Sequence, residues 1–486
     1  MTKKLIDKYN SLPLQVKASF WFLICAFLQK GITSITTPIF TRLLNTQEYG
    51  QYSVFLSWQT ILTNVITLNL FSGVFVQGLV KFEDRKRQFA SAMQGLELTL
   101  CACWTVIYLL FHNFWNRLLK LNTPLMLSMI AIIWTSAVFQ FWAVEQRVEL
   151  KYRNLVILTT IASIGRPLIG IILILCSENK VLAMVLGMVI ADVAAYAWLF
   201  FVQMRRGGVF YSASTWKYAL MFNLPLLPHY LSMSVLTGSD RIMISNMVGS
   251  SEAGIYNLAH GVSFIMTLFN TALMQTIEPW LYRKIKEKRI SDISAVAYPT
   301  FMLIAAVNLF LIILAPEIVA IFAPPAYYEA IWVIPPLAMS VYFMFAYCFF
   351  AVFEFYYEKT QLVMIATTTS AVLNIILNYF FIQIFGYKAA GYTTLTCYII
   401  YAGFHYLFMR KICNEFLEGV QPYKLKYLLG ITGVFLLCGF MFLLTYSHPV
   451  IRYTILVVLI VAAIIMRKTI IGFVKKMLSL KKQGKN

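Results

Sequence analysis

Charged residues are scarce in this sequence. Asp, Glu, Lys and Arg make up 12% of its 486 residues, whereas a soluble protein carries roughly 25%. Hydrophobic residues account for 60% of the chain. This balance excludes a soluble globular protein and predicts an integral membrane protein.

Sequence features that mark several other functions are missing. There is no Gly-rich phosphate loop and no Walker motif, which argues against ATP-driven transport by this chain alone. The eight cysteines form no C-x-x-C pair and have no histidine at metal-ligand spacing. This argues against a zinc site and against a disulfide framework, so we expect no metal and no cofactor.

Basic residues outnumber acidic ones, and the net charge is +20. A nucleic-acid interface needs such residues on a folded soluble face, but here they lie in short segments between apolar runs. Basic segments at these places set membrane topology and contact lipid head groups. We therefore expect membrane lipids as partners and no nucleic acid.

Fourteen apolar runs are long enough to cross a membrane, because a spanning helix needs about 20 residues. They are too long for strands and lack polar–apolar alternation, which excludes a membrane barrel. The sequence predicts an all-α integral membrane protein with about 14 transmembrane helices. The runs are 18–39, 51–79, 89–111, 124–144, 155–176, 181–202, 218–245, 252–280, 295–315, 331–353, 361–383, 389–409, 427–446 and 453–472.

The lysines and arginines set the orientation. If the N-terminus is cytoplasmic and the last cytoplasmic segment is counted from 467, 31 of the 40 fall in cytoplasmic segments, 6 fall outside and 3 lie within spans. Cytoplasmic loops carry the excess of positive charge. Both termini are therefore predicted in the cytoplasm, which requires an even number of spans.

A short repeat divides the chain into two halves. QEYGQY at 47–52 is matched 204 positions later by SEAGIY at 251–256, and both copies fall outside in this topology. The halves therefore share one orientation, as in transporters built from parallel repeats. We expect an N-terminal six-helix bundle at 1–202, a cytoplasmic linker at 203–217, a C-terminal six-helix bundle at 218–410, an appended helix pair at 427–472 and a basic cytoplasmic tail at 473–486.

Two stretches carry a family resemblance. TPIFTRLLNTQEYGQYS at 37–53 and GSDRIMISNMVGSSEAGIYNLA at 238–259 resemble the polysaccharide-export branch of the multidrug/oligosaccharidyl-lipid/polysaccharide (MOP) exporter superfamily. The nearest resemblance is to Wzx-type flippases of O-antigen and capsule repeat units. It extends over the whole chain, because span number, orientation and repeat agree.

The resemblance implies a fold and a function. The fold is a V-shaped bundle like that of MATE and MurJ transporters. Such proteins move a polyprenyl-pyrophosphate-linked oligosaccharide, destined for lipopolysaccharide or capsule, from the cytoplasmic to the periplasmic leaflet of the bacterial inner membrane. The resemblance thus implies a transporter rather than an enzyme, working by alternating access beside the polymerase and chain-length proteins of its pathway.

Ionisable residues within the spans are the candidate functional residues, because a charge is costly inside a membrane. The cations are expected to bind the anionic head group of the substrate, and the acids to couple H⁺ or Na⁺ or to pair with the cations. The candidate cations are Lys30, Arg166, Arg241 and Arg42, and the candidate acids are Asp192, Asp240 and Glu97.

Arg166 and Asp192 are predicted to lie at equal depth. The fifth and sixth runs are joined by the short turn SENK, so they are antiparallel neighbours. The pair is either a structural ion pair or a site where the substrate diphosphate competes for the arginine.

Lys30 likewise either binds the anion or pairs with Glu97. Asp240 and Arg241 are adjacent, so they point about 100° apart on a helix.

Proline marks a break in the seventh run. Pro225 and Pro228 predict a kinked helix there, of the kind that a rocking transporter uses. His229 lies beside them, although a lone histidine in an apolar run is more often packed than coupled to protons.

Two other functions fit part of the pattern. A multidrug cation or ion antiporter has the same fold class, but it would need an acidic cavity rather than buried cations. A membrane glycan polymerase or ligase would need a sizeable outside loop, and the longest one here covers only 316–330.

Overall fold

The computed structural model describes residues 14–465, and beyond them 467 and 472. Within 14–465 the chain is helical and contains no strand. The predicted tail at 473–486 and residues 466 and 468–471 of the last predicted run lie outside the described residues. By its packing, the chain divides into two compact units, Met1–Ile242 and Met243–Asn486.

The first unit contains helices that follow one another through short turns. They are α1 Leu14–Leu43, α2 Thr46–Thr67, α3 Gly73–Lys81, α4 Lys86–Leu110, α5 His112–Leu119, α6 Thr123–Val148, α7 Tyr152–Leu175, α8 Lys180–Asp192, α9 Trp198–Gly207, α10 Ala213–Asn223 and α11 Leu227–Met247. The division between the units falls within α11, so most of that helix packs with the first unit.

The second unit repeats much of this order. Its helices are α12 Ser250–Phe264, α13 Met266–Lys286, α14 Ser294–Ile313, α15 Ala315–Phe322, α16 Ile334–Tyr356, α17 Thr360–Phe385, α18 Ala389–Phe416, α19 Leu425–Leu444 and α20 Pro449–Ile465. The short helix α15 begins 203 positions after α5, and each of the two lies between two long helices. The repeat seen in the sequence is thus matched in the element order.

Ten helical segments within the described residues are long and apolar enough to cross a membrane. They correspond to ten of the fourteen predicted runs, and the chain is a multi-pass integral membrane protein. The other four runs are also helical. These are the second run, divided between α2 and α3, the eighth, divided between α12 and α13, the twelfth in α18 and the described part of the fourteenth in α20.

The repeated glutamate lies in the first turn of a helix in each unit. In α2, the backbone N–H of Glu48 donates to Asn45 Oδ1 at 2.8 Å, and that of Asn45 donates to Glu48 Oε2 at 2.9 Å, which is a reciprocal capping box. Glu252 occupies the same third position of α12. A Cβ on Gly249 would come within 2.4 Å of Glu252 Oε2. The repeated motif therefore marks the start of a helix in each unit and does not indicate a catalytic role.

The break predicted in the seventh run is confirmed. A 3₁₀ turn at Leu224–Leu226, which contains Pro225, separates α10 from α11. The Asn223 side-chain amide donates to the carbonyls of Leu68 at 2.8 Å and Asn69 at 2.9 Å. These two residues follow α2 and have positive φ angles of 48° and 53°. The Asn223 side chain therefore holds the break between α10 and α11 next to the end of α2.

Two glycines let α7 and α8 approach closely. A Cβ added to Gly187 of α8 would lie 2.5 Å from the backbone of Gly170 on α7. Backbone atoms cannot move aside as the end of a flexible side chain can. The close crossing therefore requires glycine at this position, and it sets the distance between the polar side chains on the same two helices.

We predict that Gly187→Ala lowers the stability of the protein. The added methyl group overpacks the crossing, which typically costs about 1–3 kcal/mol. Thermal unfolding of the detergent-purified protein measures the change. Gly430→Ala is the matched control, because a Cβ there meets nothing within 4 Å. Equal melting temperatures for the two variants would contradict the crossing described here.

Candidate functional site

Arg166 of α7 and Asp192 of α8 form the ion pair that their depths predict. Arg166 Nε donates to Asp192 Oδ1 at 2.5 Å, and Nη2 donates to Oδ2 at 2.9 Å. This bidentate geometry matches the planar guanidinium to the carboxylate. The Asp192 side chain is 0% exposed and that of Arg166 is 37% exposed, so the carboxylate is closed off and the arginine is open on one side.

The open side of Arg166 gives it further binding capacity. A guanidinium has five N–H donors, and the bond to Asp192 uses two of them. The remaining donors can reach another acceptor without breaking the pair. Arginine stays protonated and suits phosphate oxygens, because its fork donates two parallel bonds.

Aromatic residues and an irregular helix turn surround the pair. Asp192 ends α8, and a π-helical turn at Val193–Ala197 follows it. Such turns are frequent at functional sites. Tyr196 in this turn stacks on Phe139, with ring centroids 4.2 Å apart. Tyr196 and Tyr52 of α2 both lie within electrostatic range of Arg166.

Arg241 lies on the face of α11 that packs against α2. Its Nη1 donates to Ser57 Oγ at 3.4 Å. Two turns away on each helix, Asn64 Nδ2 donates to Ser234 Oγ at 2.6 Å. Asp240, the neighbour of Arg241, is buried with 3% exposure. Small polar side chains therefore line the contact between α2 and α11.

Helix α2 connects the two arginines. Tyr52, near Arg166, and Ser57, which Arg241 contacts, are five residues apart on α2. Five residues correspond to about 7.5 Å along a helix. The structure therefore brings Arg166 and Arg241 to neighbouring levels of one helix, although they approach it from different sides.

Arg42 and Lys30 are the two other candidate cations. Arg42 is exposed, and its Nη1 donates to the carbonyl of Pro38 on its own helix at 2.8 Å. Lys30 lies on α1, but its side chain is outside the described part of the structure. Their predicted role in anion binding stays a prediction.

Glu97 on α4 is a buried carboxyl group with 0% exposure. Its Oε1 accepts a weak bond from Cys101 Sγ at 3.5 Å. Among the side chains that the structure describes, no lysine or arginine forms an ion pair with it. The predicted partner, Lys30, falls outside that set, so this pairing also stays a prediction.

The second unit contains a buried pair that the sequence does not predict. His405 Nδ1 of α18 lies 2.7 Å from Glu354 Oε1 of α16, and both side chains are 0% exposed. The tenth predicted run ends at 353, whereas α16 continues to Tyr356 and includes Glu354. The hairpin rule that pairs consecutive spans could not find it, because α17 separates these two helices in the chain.

The sequence and the fold are both similar to those of known proteins. A profile described as polysaccharide biosynthesis protein matches residues 16–285. A protein of the Lsg locus of Haemophilus influenzae is 26% identical over 164 residues, which is 32% of this chain and 39% of that protein. The matched part therefore spans well under half of that relative.

Solved structures share the fold at low sequence identity. The lipid II flippase MurJ, in an inward closed conformation, superposes with a TM-score of 0.67 and 15% identity over 94% of this chain and 100% of MurJ. An inward-facing multidrug resistance MATE family transporter of the MOP superfamily superposes with a TM-score of 0.58 and 14% identity, covering 79% of this chain and 95% of the transporter. The chain therefore has the fold that MurJ and MATE proteins share.

We predict that Arg166 and Asp192 stabilise the protein through their interaction with each other. Removing one partner of a buried ion pair leaves the other charge without compensation. The expected loss of stability is about 3 kcal/mol, which is the low end of the usual range because Arg166 is partly exposed. Arg166→Met and Asp192→Leu should each lower stability by about this amount, and the double variant should recover most of it. Additive losses in a double-mutant cycle would show that the two side chains do not stabilise each other.

Proposed function

This chain belongs to the polysaccharide biosynthesis protein family, and from that premise we propose that it flips lipid-linked oligosaccharides across a membrane. The family profile and the fold of a lipid II flippase occur in the same chain, and this coincidence carries the proposal. The substrate would be a polyprenyl-pyrophosphate-linked repeat unit of an O-antigen or a capsule. It would move from the cytoplasmic to the outer leaflet of a bacterial inner membrane.

The proposed architecture is that of an alternating-access transporter. We propose fourteen spans, in which the four other helical runs are added to the ten segments that are long and apolar enough to cross a membrane. The first twelve would form two parallel repeats and the last two an appended pair, with both termini in the cytoplasm. The broken helix made of α10 and α11 would supply the bending element, because a proline break removes helix hydrogen bonds.

The substrate's diphosphate would bind at Arg166 and Arg241. Arg166 is held by Asp192 and keeps free N–H donors on its exposed side. These donors could bind the diphosphate oxygens without a large rearrangement. Asp192 would orient the guanidinium and compensate its charge when no substrate is bound. The sugar would follow the polar interior of the helices while the prenyl chain stays in lipid.

The fold also fits a multidrug exporter, because a MATE transporter superposes on the chain too, although with a lower TM-score than MurJ. The arginines favour an anionic substrate. Donors on a partly exposed guanidinium attract phosphate oxygens and repel cationic drugs. A glycan polymerase or ligase is disfavoured, because the matching solved structures named above are transporters.

Deleting the gene tests the function directly. Complete lipid-linked repeat units should accumulate on the cytoplasmic side, and surface polysaccharide should be lost. Unchanged surface glycan together with raised sensitivity to cationic drugs would establish the exporter instead. Single repeat units that reach the outside without being polymerised would establish the enzyme.

We predict that Arg166→Gln and Arg241→Gln each slow flipping about tenfold in the complemented deletion strain. Each removes a charge-assisted hydrogen bond to phosphate, and such bonds contribute about 1.5–3 kcal/mol. The measurement is surface glycan per amount of membrane-inserted protein. Arg153→Gln, at an exposed position of α7, is the matched control.

A second variant separates binding from folding. Asp192→Asn leaves the guanidinium in place but removes its charge partner. If Arg166 binds the substrate, Arg166→Gln should slow flipping more than Asp192→Asn at equal protein level. Equal effects of both would show that the arginine serves only the ion pair.

A further inference from the structure

Glu354 and His405 form a buried acid–base pair within the second unit. The two side chains lie on α16 and α18, which pack closely along their length, and both are 0% exposed. The 2.7 Å separation of Glu354 Oε1 and His405 Nδ1 is a strong hydrogen bond whichever atom holds the proton. The diphosphate site proposed above does not use this pair.

The outer atoms of the pair are unsatisfied. Glu354 Oε2 and His405 Nε2 have no hydrogen-bond partner among the described residues. Leaving a buried polar atom unpaired costs about 1–3 kcal/mol. A purely structural pair would ordinarily have its remaining atoms satisfied, so these two atoms require another explanation.

Aromatic rings enclose the pair. The ring of His405 lies 5.3 Å from that of Tyr347 and 4.5 Å from that of Tyr401. Cys348 and Tyr398 are the other titratable groups of α16 and α18 near these rings, and Glu278 of α13 interacts with Cys348. Among the described residues, no lysine or arginine forms a salt bridge with Glu354 or His405. The charge of the pair must therefore be balanced within the pair.

Charge balance fixes the number of protons that the buried pair holds. A glutamate and a neutral histidine together carry one negative charge, and one added proton makes the pair neutral, whether it resides on oxygen or on nitrogen. A second proton would leave a positive charge. A net charge without a partner is strongly disfavoured away from water, so the enclosed state holds one transferable proton.

We propose that Glu354 and His405 are a proton-binding site that couples substrate movement to a proton gradient. This inference rests on the proposed flippase function. In the enclosed state the pair keeps its proton, and in a state that admits water to α16 and α18 the separated charges become hydrated and the proton leaves. No covalent bond changes, and one proton is taken up on one side of the membrane and released on the other.

Flipping in liposomes measures the coupling. The probe is a lipid-linked oligosaccharide extracted from the deletion strain, and the membrane potential is clamped to zero. With one coupled proton, a pH gradient of one unit should shift the distribution of the probe between leaflets tenfold, since one pH unit corresponds to 1.36 kcal/mol. Glu354→Gln and His405→Gln should flip the probe but leave it evenly distributed.

Matched controls are available on exposed positions. Glu358→Gln and His448→Gln change the same residue types outside the pair and should keep the tenfold response. A full gradient response in Glu354→Gln or His405→Gln would overturn the coupling role. So would a wild-type protein that flips the probe without responding to the gradient.

A measurement without substrate keeps the inference separate from the proposed function. Infrared difference spectra of the purified protein over a pH titration should contain a carboxyl band that is absent in Glu354→Gln and shifted in His405→Gln. That result, with no flipping, would reject the flippase while retaining the proton site. Identical spectra for wild type and Glu354→Gln would reject the site.

Discussion

The cost of an uncompensated charge in a membrane is the constraint on which this structure depends. Arg166 is matched to Asp192, and Arg452 near the end of the chain is matched to Glu317. Both pairs join separate helices, so charge compensation also fixes how those helices pack. Glu97 is an exception, because it is buried without a cationic partner among the side chains that the structure describes.

A paired charge can also serve as a binding site, provided that one partner stays open. The pair of Arg166 and Asp192 is asymmetric, with 37% exposure on the arginine and 0% on the aspartate. An incoming anion can add to the arginine without first separating the pair, which would cost several kcal/mol. In the proposed mechanism, the substrate therefore meets a cation that is already oriented.

The sequence predicted the features that follow from local rules. Hydropathy located the helical runs, Pro225 located the break between α10 and α11, and the short turn after α7 placed Arg166 opposite Asp192. Contacts between helices that are not consecutive follow no such rule. The bond of Arg241 to Ser57 and the pair of Glu354 and His405 depend on tertiary packing, which neither span counting nor spacing reveals.

The two units repeat their helix order but not their polar chemistry. The helix-starting glutamate recurs, because both copies must begin a long helix after a short turn. The side chains inside each unit have no such common requirement. The first unit pairs Arg166 with a buried aspartate, and the second unit buries the pair of Glu354 and His405. Under the two proposals made above, duplication would supply two scaffolds with the same topology, and divergence of their interiors would let one chain bind an anion and a proton.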